Sequence, residues 1–469
     1  MGLESVFSLK KRGTNVRTEI AAGITTFLTM CYIVFVNPAI LAAAGVPFTA
    51  ATTATAIGAA VVSILMGLVT NRPLALASGM GFNAMLAFSV IGFQQARVPW
   101  QVGMAVVVAE GIIILILVLS GLREAVMNAI PLNLKRGIGA GIGLFIAVLG
   151  LNQGGLIRPA PLTLVEIGDF SQKHVWVTLA GLLAIIFFSA MGRKSAILIG
   201  LGAAAMAALL FGLVEWPSSV IAPLDFSTFF APFHVVGGKT ALVQILTPTL
   251  LAAVFSLMLT DFFDTMGSVV AIADQAGFLE KDGRVPGIKG ILAVDSLGAA
   301  FGGLFGSSSI TTYIESAAGV AQGGRSGLMP IVAGLCFVAA AFFSPVIGMV
   351  GGGIAIPAGD HYAQFAKAGF TLPGADFLVY PITAGALIFV GFLMMRMVRE
   401  IEWDRFDEAV PAFLILIGIP LTASISHGIG FGFIVFTLIK FVRGKIRDVH
   451  PLMIVVALAF AAFYILESI

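Results

Sequence analysis

Three carboxylates stand in stretches of this sequence that otherwise carry almost no charge: Asp261, Asp264 and Glu315. A carboxylate at the centre of a lipid bilayer is costly, so one that is retained there is a candidate functional group. Asp261, Asp264, Thr265 and Ser268 are three or four residues apart, and a helix would place them on one face. The ordinary alternatives are a helix end in water for either aspartate and a capping role for Glu315.

A buried carboxyl group suits the recognition of a small, flat solute that forms hydrogen bonds. Burial disfavours the charged form, and the protonated group offers a donor and an acceptor side by side. That pair matches the hydrogen-bonding edge of a heterocyclic base. The same group can carry a proton, so we predict proton coupling at Asp264, Glu315 and Asp261. Phe82 and Tyr313 could stack on a planar ring, with ordinary packing as the alternative.

The sequence lacks the common motifs of soluble enzymes and of metal sites. It has no HExxH, GxSxG or P-loop pattern and no Cys/His cluster, and Cys31 and Cys336 form no CxxC pair. The five histidines lie in or beside predicted loops. Asp295 is more typical of a structural hydrogen-bonding residue. We therefore expect no metal, no cofactor and no enzymatic reaction.

The composition indicates which elements must position the carboxylates. Of 469 residues, 59% are hydrophobic and 11% are charged, and the mean hydropathy is +1.04. An ordinary soluble domain carries about 25% charged residues. So few charges cannot cover a water-exposed surface, which excludes a soluble globular protein, a disordered chain and a nucleic-acid-binding protein. The long apolar runs, without the alternation of a membrane β-barrel, predict an all-α multi-pass membrane protein.

A helix needs about 20 apolar residues to cross the bilayer core, and fourteen or fifteen stretches come close to this length. Within a few residues at each end they are 20–44, 50–69, 74–92, 101–120, 137–152, 175–191, 195–214, 245–273, 290–305, 308–322, 328–350, 376–395, 409–425, 427–439 and 451–467. Basic residues collect after even-numbered spans, as the positive-inside rule requires for a cytoplasmic N-terminus. The last stretch is either a fifteenth span or a helix at the membrane surface.

Seven spans precede the polar stretch 215–244 and seven follow it, which is the arithmetic of an inverted-repeat transporter. Spans 74–92 and 308–322 hold corresponding places in the two halves, and both are short, bordered by glycines and polar at the centre. Such paired broken spans indicate a binding site at the membrane midplane. We expect residues 310–314 to be extended and a half-helix to start at Glu315.

These segments resemble the nucleobase–cation symporter (nucleobase–ascorbate transporter) superfamily, and within it the AzgA-like adenine/guanine/hypoxanthine permeases. The resemblance covers nearly the whole chain. The matching runs are Gly23–Phe27, Asn37–Pro38, Gly79–Ala84, Asp261–Gly267, Thr311–Gly319 and Gly323–Gly327.

The resemblance implies a 7+7 inverted repeat of about fourteen helices, with short extended pieces in broken spans 3 and 10. A core domain (spans 1–4 and 8–11) would hold the substrate, and a gate domain (spans 5–7 and 12–14) would move against it. The implied boundaries are a cytoplasmic N-terminus (1–17), a first core segment (18–120), a first gate segment (121–214), a polar linker (215–244), a second core segment (245–351), an external loop (352–375) and a second gate segment (376–469).

The resemblance also implies a substrate site. Related permeases have a span-8 carboxylate that opens an acid-x-Ile-Gly pattern, and Asp264 fits that pattern better than Asp261 does. The span-10 carboxylate corresponds to Glu315. Phe82 would offer its ring and backbone N–H, and Ile314 its backbone N–H. The remaining predicted contacts, from the same motifs, are Tyr313, Asn83 and Thr26.

By this resemblance the chain would be a permease of the bacterial cytoplasmic membrane. It would import adenine, guanine and/or hypoxanthine by proton symport with alternating access. Its partners would be the base, the proton and the bilayer, and dimers are frequent in the fold, so a homodimer is an expected assembly. The alternatives are a same-fold carrier for uracil, xanthine or an anion, an intramembrane enzyme, and a passive channel. The acidic residues argue against an anion, and the paired broken spans argue against a channel.

Overall fold

In the computed structural model of the chain, the described residues are 3–92, 98–121, 130–160, 164–193, 195–280, 285–357, 376–422 and 424–467. These residues are mostly helical. The α-helices are α1 (Leu3–Val6), α2 (Val16–Met30), α3 (Ile33–Ala43), α4 (Phe48–Thr70), α5 (Met80–Ala84), α6 (Trp100–Ser120), α7 (Leu132–Gln153), α8 (Lys173–Ala190), α9 (Ala196–Leu210), α10 (Ala241–Gln244), α11 (Pro248–Ala276), α12 (Ile288–Phe305), α13 (Ser316–Ala321), α14 (Leu328–Ala341), α15 (Ser344–Gly351), α16 (Pro381–Met394), α17 (Phe406–Thr422), α18 (Ile425–Val442) and α19 (Pro451–Glu467).

Short strands and tighter or wider helical turns complete the described residues. The strands are β1 (Leu76–Ser78), β2 (Ile157–Ala160), β3 (Leu164–Ile167), β4 (Val235–Val236), β5 (Lys239–Thr240), β6 (Ile310–Thr312), β7 (Ile354–Pro357) and β8 (Asp376–Val379). They pair as four two-stranded antiparallel units, β1 with β6, β2 with β3, β4 with β5 and β7 with β8. A π-helix over Met85–Gly92 continues α5.

Local sequence signals account for where several helices begin. The Asn15 side chain accepts a hydrogen bond from the Thr18 N–H at 3.0 Å before α2. Thr247 caps α11 in the same way, and Pro248 occupies its first position, where a missing N–H costs nothing. These caps satisfy backbone donors that a helix leaves free at its start.

Eight helical stretches among the described residues are long and apolar enough to cross a membrane, or nine if the bent pair α14–α15 counts as one. The chain is therefore a multi-pass membrane protein, as the composition predicted. Further apolar helices are shorter, namely Met80–Gly92, Ala196–Leu210, His427–Val442 and Pro451–Ala462. The number of fourteen or fifteen crossings stays a prediction.

Three predicted spans have features that the apolar pattern did not reveal. Span 20–44 comprises α2 and α3 on either side of a break at Cys31–Tyr32, and span 328–350 comprises α14 and α15, bent by 82°. Span 376–395 begins later than predicted, because 376–379 form β8 and α16 starts at Pro381. A proline favours the first turn of a helix and disfavours helical structure in the residue before it.

The two connecting segments contain more structure than their polarity suggested. The linker 215–244 includes the β4–β5 hairpin and α10. It is tied to α4 by Asp225, whose carboxylate accepts from the Thr49 hydroxyl at 2.9 Å. At the predicted external loop 352–375, β7 pairs with β8, and the predicted loop's residues 358–375 lie outside the described residues.

The larger helices pack in two groups. In the first group, α14 packs against α2 and α4, and α12 packs against α4 and α6, with α11 beside α6. In the second group, α7 packs against α16 and α17, α16 against α8, and α8 against α9. We call these the first and second helix groups. Each group combines helices from both halves of the chain, so neither half forms a unit by itself.

The pairing of β1 with β6 joins the two halves inside the first helix group. Leu76 lies opposite Thr312, Ala77 opposite Thr311 and Ser78 opposite Ile310, and all are buried. Extended backbone in an apolar interior must have its polar groups paired within the protein. The strands supply some of this pairing, and the Ser63 hydroxyl bonds both the N–H and the carbonyl of Leu76. The resulting β1–β6 crossing positions the residues that follow each strand.

Candidate functional site

The β1–β6 crossing brings the two broken segments together. Helix α5 begins two residues after β1, and α13 begins four residues after β6. The Tyr313 N–H donates to the Ala75 carbonyl at 3.0 Å, and the Ala75 N–H donates to the Ser316 hydroxyl at 3.0 Å. The segment between β6 and α13 is thus fixed against the start of β1. The predicted extended piece and half-helix of span 10 both occur here.

Glu315 lies at the start of α13, half-buried, with a partner that the sequence analysis missed. The Tyr32 hydroxyl donates to Glu315 Oε1 at 2.7 Å. Tyr32 is 3% exposed and lies at the break between α2 and α3. It is one of only five tyrosines and the only one within the apolar run 20–44, which is the signal that could have identified it.

Asp264 lies near the middle of α11, and its side chain is exposed to solvent. It interacts electrostatically with Asp295, Glu315 and Tyr313, so it lies on the side of α11 toward the segment between β6 and α13. Its exposed side chain and that of Ile314 mark an opening beside this segment. The structure therefore brings the two carboxylates that the sequence analysis favoured to one water-accessible place.

Two aromatic residues flank the β1–β6 crossing, Tyr313 directly after β6 and Phe82 in α5. The Tyr313 hydroxyl donates to the Ser78 carbonyl at 2.5 Å and so ties the β6 side to β1. The Phe82 ring is 2% exposed and lies directly over Gly79, where a Cβ atom would overlap it. In this conformation both rings are buried and pack within the protein.

The other predicted contacts differ in their surroundings. Ile314 is 47% exposed and lies between Tyr313 and Glu315, next to the opening. Asn83 is buried, and its Oδ1 accepts from the Ser308 hydroxyl at 3.1 Å. Thr26 is fully buried behind α13, where it fills the space beside Gly319. Asp264, Glu315, Tyr313 and Ile314 thus lie together, whereas Thr26 lies behind them.

Asp295 is a hydrogen-bonding anchor, in agreement with the sequence analysis. Its carboxylate accepts from the Thr265 hydroxyl at 2.7 Å, from the Thr312 N–H at 2.9 Å and from the Thr312 hydroxyl at 2.8 Å. Thr265 also bonds the Thr311 hydroxyl at 2.8 Å. This network fixes β6 to α11. It therefore also fixes the distance between α11, which carries Asp264, and the segment after β6, which carries Glu315.

Asp261 lies in different surroundings from Asp264. It is fully buried, and the Thr265 hydroxyl donates to it at 3.4 Å. Three residues correspond to about 300° of helical rotation, so the two side chains diverge by about 60°. The sequence analysis placed both residues on one face of the helix, and they do lie on the same side of α11. It did not reveal that Asp261 is buried on that side whereas Asp264 is exposed.

Glu110, in the middle of α6, is a further buried carboxyl that the sequence analysis did not single out. It is fully buried and interacts electrostatically with Asp261 and Asp295. A lone charged residue within the apolar run 100–120 is the signal that could have identified it. Among the residues that the structure describes, no group of three or more His, Cys, Asp or Glu side chains is arranged to hold a metal ion.

Comparisons with known proteins extend along the whole chain. A model of the Permease family matches residues 17–357. The guanine/hypoxanthine permease PbuO of Bacillus subtilis is 39% identical over 461 residues, covering 97% of this chain and 98% of that protein. The adenine permease AdeP of Escherichia coli K12 is 38% identical, covering 98% of this chain and 95% of that protein.

The fold is shared with solved transporter structures. The transmembrane domain of the cyanobacterial bicarbonate transporter BicA superposes with a TM-score of 0.61 at 15% identity, covering 88% of this chain and 97% of that chain. This likeness confirms the predicted fold class, the 7+7 inverted repeat of helical transporters.

Proposed function

The chain belongs to the Permease family, within the nucleobase–ascorbate transporter superfamily, and we propose that it imports purine nucleobases by proton symport with alternating access. The observation that carries the proposal is the pair of carboxylates, Asp264 and Glu315, at one water-accessible place beside the β1–β6 crossing. Similarity along nearly the whole chain to guanine/hypoxanthine and adenine permeases supports a purine as the solute.

The chemistry of the carboxylates suits a purine edge. A carboxylate accepts from ring or exocyclic N–H groups, and a protonated carboxyl adds a donor for a ring nitrogen or a carbonyl. Asp264 and Glu315 supply such groups from α11 and from the start of α13. The Tyr32 hydroxyl occupies one side of Glu315 and so fixes its orientation. The base would lie between the two carboxyl groups, next to Ile314.

Proton coupling follows from the same residues. A carboxyl group that must be protonated to complete the hydrogen-bonding pattern takes up a proton together with the base and releases both inside. The membrane potential then contributes about 2.3 kcal/mol per charge per 100 mV to uptake. We assign this role to Asp264 and Glu315, with Asp261 as a third candidate.

The two helix groups support alternating access. Asp264 on α11 belongs to the first helix group, and β6 and α13 pack against helices of that group, so these parts of the proposed site can move as one body. We identify this group with the predicted core domain and the second helix group with the gate domain. A homodimer is a further expectation from the family resemblance.

The other functions fit the site less well. Two carboxylates at one place repel an anion, which argues against a carrier of bicarbonate type despite the shared fold. An intramembrane acid protease would need a Gly-x-Gly-Asp context in another span, which the sequence lacks. We therefore propose transport rather than catalysis.

The decisive experiment measures uptake of radiolabelled adenine, guanine, hypoxanthine, xanthine and uracil in cells that lack their own permeases. Each solute is tested with and without a protonophore. We expect saturable uptake of at least one of adenine, guanine and hypoxanthine, and loss of its accumulation when the protonophore is added. Uptake of no purine would refute the substrate assignment, and accumulation indifferent to the protonophore would refute the coupling.

A further inference from the structure

Glu110 is a carboxyl group buried within an apolar helix. It lies at the centre of the 21-residue helix α6 and is fully buried. Among the residues that the structure describes, no well-formed hydrogen bond reaches either Glu110 oxygen, and the Ser309 hydroxyl is a polar side chain close enough to interact with it. A buried ion without hydrogen bonds is strongly disfavoured, so a charged Glu110 would be unstable here.

The groups around Glu110 offer it no positive charge among the described residues. Of the elements packed against α6, helix α11 contributes Asp261 and α12 contributes Asp295, both fully buried. The other packed elements are the π-helix 85–92, the turn 231–233 and α10, whose sequences contain no titratable residue. Like charges in a poorly polarisable interior repel strongly. Asp295 accepts several hydrogen bonds and can stay ionised, whereas Glu110, which no well-formed hydrogen bond reaches, is favoured in its neutral form.

A hydrogen-bonded path connects this cluster with the proposed base site. Thr265 bonds Asp261, Asp295 and Thr311, and Thr311 belongs to β6. Ser309, which faces Glu110, lies immediately before β6. Glu315 follows three residues after the end of β6. A change of charge at Glu110 or Asp261 therefore acts directly on the strand that positions Glu315.

We propose that Glu110 is a proton-binding residue of this transporter, neutral in the conformation described here, and that it exchanges its proton with Asp261 during the transport cycle. The proton-binding groups then include a buried carboxyl on α6 that never touches the base. This inference rests on the proposed function, because the exchange matters only if uptake is proton-coupled. A bound Na⁺ is the competing occupant of such a cluster, and it would need several oxygen ligands converging on one point.

The test uses Glu110→Gln, which mimics the neutral carboxyl and cannot release a proton. Glu166→Gln, in the exposed β2–β3 hairpin, is the matched control. The full-length proteins are reconstituted in vesicles, and three quantities are measured for the purine that the wild type takes up. They are base exchange without a gradient, accumulation driven by a pH gradient, and the pH profile of uptake.

We expect Glu110→Gln to retain base exchange within about threefold and to lose pH-driven accumulation by about tenfold per imposed pH unit, the factor that one coupled proton supplies. Its pH profile should flatten, and Glu110→Asp, which keeps a carboxyl, should restore some of the dependence. A purely structural role would lower exchange and accumulation together and leave the pH profile in place, which would overturn the inference.

Additional variants and conditions separate the possible outcomes of this experiment. If Glu110→Gln does not reach the membrane, Ser309→Ala is measured instead, and an unshifted pH profile overturns the inference. If Na⁺ drives purine accumulation in the wild type and Glu110→Gln abolishes this effect, the coupled ion is Na⁺ rather than the proton. That result would also overturn the inference. A wild type without coupled purine uptake refutes the proposed function itself. Coupled wild-type uptake with an unaltered Glu110→Gln variant refutes only the role of Glu110.

Discussion

At the scale of single residues, five acidic side chains near the middle of the first helix group differ in their surroundings. Asp264 reaches solvent, Glu315 is held by a tyrosine, Asp295 is surrounded by donors, and Asp261 and Glu110 are buried beside one another. Burial and hydrogen bonding decide what a carboxyl group can do. The first two are the residues that we propose to touch the solute.

Removing the charge of either solute-facing carboxyl should stop transport. We predict that Asp264→Asn and Glu315→Gln each reduce purine uptake at least about 100-fold. Each substitution leaves a hydrogen-bonding group of the base without its matching partner, and such mismatches in a binding site are costly. Uptake of radiolabelled purine, normalised to the amount of protein in the membrane, measures the effect.

Asp169→Asn is the matched control for these variants. Asp169 lies in the loop before α8, where the hydroxyl and N–H groups of Ser171 lower the pKa of its carboxyl to about 2. Asp169 is partly exposed and remote from the proposed site, so uptake by Asp169→Asn should equal that of the wild type. Wild-type uptake by both Asp264→Asn and Glu315→Gln would show that the site is wrongly assigned.

Tyr32→Phe tests the partner of Glu315 without removing any carboxyl. A hydrogen bond to a charged group contributes about 1.5–3 kcal/mol, and its loss frees Glu315 to rotate. We predict that uptake at low purine concentration falls about tenfold or more. Tyr464→Phe removes a tyrosine hydroxyl of α19 that donates to the His427 carbonyl of α18, away from any carboxylate of the site, and should have little effect. Equal uptake by the two variants would argue against a positioning role for Tyr32.

At the scale of elements, the β1–β6 crossing is the feature that converts two distant sequence motifs into one site. The strands are three residues each, too short to be stable alone. They persist because serine, threonine and aspartate side chains bond their free polar groups, as Ser63 and Asp295 do. β-branched residues at 310–312 suit the extended conformation.

Gly79→Ala should damage this crossing selectively. An added Cβ would overlap the Phe82 ring and lie 2.9 Å from Thr311 Cγ2, and overpacking of this kind costs about 1–3 kcal/mol. We predict reduced thermal stability and at least about fivefold lower uptake, as Phe82 or β6 is displaced. Gly202→Ala, in α9, is the control, because a Cβ there has no heavy atom within 4 Å. Unchanged uptake in Gly79→Ala would show that the crossing tolerates displacement.

At the scale of the whole molecule, the two helix groups meet where α5 lies against α7. A Cβ on Gly81 of α5 would lie 3.1 Å from Ile142 Cγ2 on α7. If the core moves against the gate, this contact must change during each cycle. It is therefore a suitable place to block the motion.

A disulfide across this contact should arrest transport reversibly. We predict that Gly81→Cys combined with Ile142→Cys, in a background of Cys31→Ala and Cys336→Ala, loses uptake at least about tenfold on oxidation, since the bridge fixes Cβ atoms about 4 Å apart. Reduction should restore uptake to its level before oxidation. The two single-cysteine variants should not respond to the oxidant. Undiminished uptake by a fully cross-linked protein would contradict relative motion of the groups.

The sequence by itself determined the membrane class, the approximate positions of the apolar helices, the two broken segments and the carboxylates Asp264 and Glu315. These properties are local. Hydropathy over about 20 residues, glycines beside a polar run and an acid within an apolar stretch are all visible without knowing what lies opposite. The family resemblance added the 7+7 repeat, which the comparison with a solved structure confirmed.

Only the tertiary structure decided which side chains meet. Tyr32 and Glu315 are 283 positions apart, and the β1–β6 pairing spans more than 230 positions, so no periodicity could connect them. Asp264 is exposed and Asp261 is buried because neighbouring elements cover one side of α11 and not the other. The neighbours of Glu110 likewise come from α11 and α12. Burial and hydrogen bonding are properties of the packed bundle, and they separate acids that the sequence presents as alike.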